Sequence, residues 1–173
     1  MKHHALQLYD YHVWANQRIV ERLKELPEEI CHKEIQSVFS SISEVLTHIY
    51  LVDTLWLSVM SGDSFDETMV KLERTKEETK GKTTGEMQTM FLDLSKQYKE
   101  FLDRREDLDQ PVTYEHPRFG KLEASLSELV QHVVNHGTYH RGNITAMLRQ
   151  LGHAGVSTDF VFYLYEMRHD TPR

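Results

Sequence analysis

The chain has 173 residues, 39% of them hydrophobic and 27% charged, a balance that suits a soluble globular fold and excludes a disordered one. Lys and Arg total 20 against 27 Asp and Glu, a net charge of −7 with His neutral, which makes nucleic acid and anionic membrane surfaces poor partners. Only four Pro and eight Gly interrupt the chain, which favours helices, whereas 11 His call for a chemical reason.

The first stretch, MKHHALQLYDYHVWAN, has neither the apolar run nor the small-residue cleavage site of a signal peptide. No apolar segment approaches the roughly 18–20 residues that span a bilayer. A first helix is predicted from about His4 to Leu26, stopped by Pro27, with Leu8, Tyr9, Val13, Ile19, Val20 and Leu23 on its apolar face. Cys31 is the single cysteine and cannot form an internal disulfide, so a cytoplasmic setting is expected. Its neighbours Glu28, Glu29, His32 and Glu34 do not favour a thiolate. The second helix opens at a serine-rich entry, with Ser41 or Ser43 as N-cap. It runs through Ile42, Val45, Ile49, Val52, Leu55, Trp56 and Val59 to Gly62.

Residues 63–83 are polar and charge-dense, and read as a long crossover that frees the second and third helices from being adjacent antiparallel neighbours. The third helix is predicted from about Thr84 to Leu108, with a stripe of Met87, Met90, Phe91, Leu94, Tyr98, Phe101 and Leu102. Pro111–Leu122 alternates apolar and polar residues around Pro117 and Gly120 and reads as a small hairpin. Ser125 and Glu128 have the spacing of a capping box and open a fourth helix that ends at Leu151, before Gly152. Thr158–Met167, rich in Phe and Tyr, reads as a short fifth helix. With no internal repeat, residues 1–173 are expected to form one all-α domain: a four-helix bundle, a long crossover between helices two and three, and a short C-terminal helix.

Helical geometry sorts the histidines. With Val45 at 0° and about 100° per residue, the apolar arc of the second helix spans about 280° to 40°, and His48 falls at about 300°. In the fourth helix, with Leu126 at 0°, His140 falls at about 320°, His136 at about 280° and His132 at about 240°, the border of the apolar arc. Spacing alone says little, because composition predicts about 0.7 His pairs four apart by chance. Burial adds the argument, since a core imidazole must satisfy two ring nitrogens. Two imidazoles four apart on one helix and a third from a facing helix make a facial set for Zn, Ni, Cu or Fe(II), with a position open for water or substrate. The plain alternative is three core histidines, each hydrogen-bonded to a carbonyl or a tyrosine. Gly137 follows His136, so the His-Glu-x-x-His of a zincin is absent. The two Glu-x-x-His matches, Glu29 with His32 and Glu166 with His169, lie near a helix end and the chain end, which removes a di-iron site. His12, beside Asn16, reads first as a boundary histidine packed under Tyr9, with a pocket hydrogen bond or a fourth ligand position as alternatives. His3, His4, His32, His116, His153 and His169 read as surface.

Three segments resemble one family. YHVWANQRI (Tyr11 to Ile19) looks like an aromatic-x-x-Trp-Ala-Asn signature, and SEVLTHIYLVDTLWL carries its one histidine at His48. HVVNHGTYHRGNI (His132 to Ile144) is similar to a His-x-x-x-His-Arg-Gly-Gln block, with Asn143 in the last position. Together they resemble the DinB/YfiT-like family of small metal-binding four-helix bundles over nearly the whole chain. The resemblance implies a homodimer and a divalent metal, nickel or zinc, on His48, His136 and His140 with water completing the shell. It also implies kinship with thiol-dependent S-transferases that use bacillithiol, mycothiol or glutathione, and with a mycothiol-dependent isomerase. The leading expectation is a metal-dependent enzyme that activates a low-molecular-weight thiol such as bacillithiol, or water. His12, Asn16, Trp56 and Arg141 are its candidate pocket residues, although Trp56 reads first as core packing. The alternative is a non-catalytic, metal-binding stress-response bundle protein.

Overall fold

The structure, a computed structural model, describes residues 3–169. In chain order it contains α1 (His4–Lys24), α2 (Glu28–His32), α3 (Ile42–Met60), α4 (Phe65–Thr79), α5 (Thr84–Asp103), β1 (Pro111–His116), β2 (Gly120–Ser125), α6 (Leu126–Gln150) and α7 (Phe160–His169). The helix starts follow capping chemistry. Ser41 accepts from the Glu44 amide, and Ser64/Glu67, Thr83/Glu86 and Ser125/Glu128 form complete capping boxes. At the N-terminus the His3 ring accepts from the Ala5 amide at 3.1 Å. Gly62, with φ of 92°, closes α3 where a side chain would be strained.

The four longest helices touch in sequence: α1 with α6, α6 with α3, α3 with α5 and α5 with α1. β1 and β2 form an antiparallel hairpin with Tyr114 opposite Leu122, and α7 lies against α1. Among the described residues no helix is long and apolar enough to cross a membrane.

Two differences from the sequence expectation concern α4 and α5. Residues 63–83 are not a plain connection: α4 occupies most of them and packs on α3. Its buried residues are Thr68, Thr75 and Thr79, while Val70 is exposed, so hydrophobic periodicity carries no sign of it. It is held by its capping box, the Arg74–Glu78 pair at 2.8 Å and a hydroxyl contact of 3.2 Å between Thr68 and Ser58. The second and third long helices, α3 and α5, also touch, through Tyr50 against Phe91 at 5.4 Å. In addition α5 stops at Asp103, short of Leu108, and Glu28–His32 forms a short helix that the sequence did not suggest.

The apolar interior is divided. One cluster joins the start of α1 (Ala5, Tyr9, Tyr11, Ala15), the end of α5 (Leu94, Tyr98, Leu102) and the start of α6 (Leu126, Leu129, Val130). The other joins the end of α1 (Ile19, Val20, Leu23), the start of α3 (Ile42, Val45, Ile49) and the end of α6 (Ile144, Met147, Leu148). Along α1, α3 and α6 alike, the residues between these clusters are polar: His12 and Asn16, Asp53, and His140 with Arg141, all buried. A polar layer therefore crosses the molecule at mid-height. Because α4 depends on its cap more than on apolar burial, Ser64→Ala should lower the urea midpoint by the equivalent of about 1 kcal/mol. An unchanged midpoint would show that α4 is held by other means.

Candidate metal centre

His48 projects from α3, and His136 and His140 from successive turns of α6. Each offers a ring nitrogen, and these nitrogens all lie within 4.8 Å of one another. The ring centroids are 5.0 Å apart for His48 and His136, 4.5 Å for His48 and His140, and 4.4 Å for His136 and His140. Nε2 of His48 stands 3.1 Å from Nε2 of His136. Two nitrogens at that spacing, each about 2.0–2.1 Å from one ion, subtend about 100° there, between octahedral and tetrahedral angles. Nδ1 of His136 and Nδ1 of His140 are buried without a hydrogen-bond partner among the described residues. Three imidazoles crowded together with polar atoms unsatisfied make a poor apolar core but a fitting donor set for a divalent cation.

Helix rotation explains the access to the cluster. The buried positions of α3 are Ile42, Val45, Leu46, Ile49, Asp53, Ser58 and Met60, whereas Val52, Leu55, Trp56 and Val59 are only half-buried. The inward face of α3 is therefore turned by about 70° from the arc expected from its apolar residues. His48 and His136 consequently sit at the margin of the core, and His140 inside it. Phe39 packs on His48 at 5.0 Å and on His140 at 5.5 Å, and the exposed Tyr139 packs on His140 at 4.9 Å. The outermost ring is His132, which is exposed, 6.3 Å from His136 and 4.7 Å from Trp56.

The surroundings hold the triad neutral. Burial pushes His136 down to about 3, with the neighbouring His140, His48, His132 and His12 adding to the shift. Burial also lowers His48, against a smaller opposing pull from Asp53, and lowers His140, helped by His48. Neutral imidazole is the ligating form.

Behind the triad lies the polar layer. Arg141, 1% exposed, donates from Nη1 to Asn16 Oδ1 at 2.7 Å and from Nη2 to Thr138 Oγ1 at 2.9 Å. The same Nη1 lies 3.3 Å from His12 Nδ1, which makes Nδ1 the acceptor and Nε2 the proton-bearing atom of His12. Nε2 then donates to Asp53 Oδ2 at 2.8 Å, and Asn16 Nδ2 lies 3.0 Å from it. Tyr98 donates to the Asp53 carbonyl at 2.6 Å and stacks on Tyr9, whose ring lies 5.9 Å from that of His12. Burial pulls the Arg141 guanidinium down from its usual value, opposed by Tyr11 and by Asp53. Gly137 makes the packing possible: a Cβ there would stand 2.3 Å from His12 Cε1 and 2.8 Å from Arg141 Nη1.

The structure thus brings together His48, His136 and His140. It places His12, Asn16 and Arg141 in a buried network behind them. His12 is not a boundary residue: it is 1% exposed, engaged with Asp53, and stands outside the three-histidine group. Trp56 packs against the first apolar cluster and His132, in keeping with its packing reading. His169 lies outside the residues whose side chains are described. Sequence reasoning missed Asp53, which carries no apolar signal, and Phe39, which precedes its helix. Gly137, the one buried glycine of α6, is a signal in the sequence that could have pointed to this close packing. Cys31 is buried, and burial pushes its thiol up, so it is no nucleophile.

The DinB family model matches residues 1–171. The chain belongs to the DinB family. It is 52% identical over 165 residues to Protein DinB of Bacillus subtilis, a match that covers 95% of this chain and 96% of that protein. A crystal structure of a DinB-like protein from Bacillus cereus superposes with a TM-score of 0.66 at 19% identity, covering 88% of this chain and 94% of that one, which shows a shared fold. In this DinB-family chain the three histidines stand on α6, which packs on α1, and on α3, which is joined to α1 through the His12–Asp53 bond.

Two outcomes follow from this geometry. Gly137→Ala should destabilise the fold by about 1–3 kcal/mol despite the better helix propensity of alanine, because the methyl displaces His12; a urea titration measures it. The pH effect has a definite sign. With folded-state values depressed, the folded chain binds fewer protons than the unfolded chain below about pH 6.5, so stability falls as pH drops from there toward about 3. The chelator-treated protein should therefore show a lower urea midpoint at pH 5 than at pH 7.5, and His136→Ala should shrink that difference. Equal slopes would contradict the buried, neutral triad.

Proposed function

We propose that this DinB-family chain is a metal-dependent enzyme that transfers low-molecular-weight thiols, with one divalent cation held by His48, His136 and His140. The observation that carries this reading is the convergence of three ring nitrogens from two helices at the margin of the core, where a small molecule can approach. Three neutral imidazoles and an open position suit Zn, Ni, Cu or Fe(II), and the family resemblance favours nickel or zinc among them. Bound there, such a cation supplies one chemistry: it lowers the pKa of a coordinated thiol, so that a thiolate is available at neutral pH.

The family resemblance is what favours a thiol over water, and the chain's own residues are compatible with either. The rings packed on the triad belong to Phe39, Tyr139 and His132, and of these His132 is the one that could accept a proton. A thiol held there would give its proton to solvent or to such a base as it becomes a thiolate. Phe39 and the exposed Tyr139 flank the triad, and Val52, Leu55 and Val59 are half-buried further along α3. His48 and His136 present the exposed side of the set, while His140 anchors it in the core. The thiol is a low-molecular-weight one such as bacillithiol. The same reading takes the four long helices as the family's bundle, with α4 carried in the crossover, and the chain as a cytoplasmic homodimer.

Cobalt-substituted protein tests the reading. Adding bacillithiol or glutathione should produce a sulfur-to-cobalt charge-transfer band, and the loaded protein should conjugate the thiol to an electrophilic dye. His136→Ala should lose both responses while staying helical by circular dichroism. A cobalt spectrum indifferent to every thiol would overturn thiol transfer and leave a metal that only stabilises the fold.

A further inference from the structure

The triad is assembled from two helices, and nothing within α3 or α6 alone sets the distance between His48 and its two partners. The polar layer joins those helices through a third. Asp53 lies on α3 just over one turn beyond His48, and Arg141 is the residue after His140 on α6. Between them stand His12 and Asn16, one turn apart on α1. The chain of contacts runs from Asp53 Oδ2 to His12 Nε2 (2.8 Å), from His12 Nδ1 to Arg141 Nη1 (3.3 Å), and from the same Nη1 to Asn16 Oδ1 (2.7 Å). All four side chains are at most 6% exposed. Tyr98 of α5 ties the Asp53 backbone to the fourth long helix. Gly137, next to His136, lets α6 approach until His12 fills the space a side chain would take.

We propose that Asp53, His12, Asn16 and Arg141 are positioning residues for the metal centre, forming a strut that sets the separation of His48 from His136 and His140. This rests on the metal reading given above. None of the four belongs to the three-histidine group; they act through the helices that carry it. The chemistry suits the role. A buried guanidinium and a buried carboxylate each lose heavily if left unpaired, so the bonds enforce one relative placement of α1, α3 and α6. Apolar packing alone would tolerate small slips, as cores retain stability under repacking before they retain uniqueness. His12 serves as the spacer because its two nitrogens accept from one side and donate to the other.

The test is Co(II) titration of the full chain, read by its visible absorption, for wild type, Asp53→Asn, Asn16→Ala and Leu102→Ala. Asp53→Asn keeps the shape but offers His12 an amide in place of a carboxylate, and Asn16→Ala removes one acceptor of Arg141 while sparing the His12–Asp53 bond. Leu102, 2% exposed in the first apolar cluster, reports what plain destabilisation does to the site. The strut predicts Co(II) affinity about 10-fold weaker in Asp53→Asn, with altered band positions. Asn16→Ala should show a smaller loss in the same direction, and decides the matter if Asp53→Asn fails to fold. Leu102→Ala should be less stable yet bind Co(II) with wild-type affinity and spectrum. Wild-type affinity and bands in both strut variants would overturn the proposal, as would an equal loss in Leu102→Ala. Wild-type protein that takes up no Co(II) would instead overturn the metal reading itself, and the strut's role with it.

Discussion

The contact between Arg141 and His12, with Asp53 on the far side of the imidazole, is the constraint around which the structure is organised. It puts a cation and an anion inside a helical protein, between two apolar clusters that could otherwise have merged. Burying either charge unpaired would cost several kcal/mol, a large part of the stability of a domain this size. The helices are therefore not free to slide. Moving α6 by one turn would carry Arg141 away from His12 and Asn16 and leave a buried guanidinium without those partners. Gly137 belongs to the same constraint: its helix penalty is offset by the close approach it allows.

The site follows from where that layer meets the surface. His140 shares the layer's level and is buried, while His48 and His136 lie toward the solvent side. Such a position gives a donor set two things at once. Burial keeps the imidazoles neutral, as the depressed values show, and the margin keeps one side open. The walls around it are the rings of Phe39, Tyr139 and His132. Membership of the DinB family places this arrangement among relatives of the same fold, but the donor set is argued from the residues.

Much of this was legible in the sequence, and the parts that were not share a cause. Four long helices show themselves through apolar periodicity, and the hairpin through its alternation around Pro117 and Gly120. His48, His136 and His140 emerge as a set because they lie on or near apolar arcs where an imidazole is out of place. Periodicity fails where burial is polar. α4 hides because its inward residues are threonines, and Asp53 hides because a carboxylate counts against an inward position on any hydrophobic wheel. The same blindness rotates the predicted face of α3, since Val52, Leu55 and Val59 weigh toward an interior that in fact lies on the side of Asp53. His12 and Arg141 were visible as candidates, but their partners were not, so His12 read as a boundary residue. A buried network needs all its members before any one of them makes sense.

The central claim is that three histidines from two helices hold one divalent cation. Elemental analysis of the purified chain and of His48→Ala, after dialysis and again after incubation with nickel and zinc, tests it most directly. The account predicts about one metal per chain in the wild type and its loss in the variant. No metal in either protein, or equal retention in both, would return the three histidines to the core as packed side chains and contradict the account.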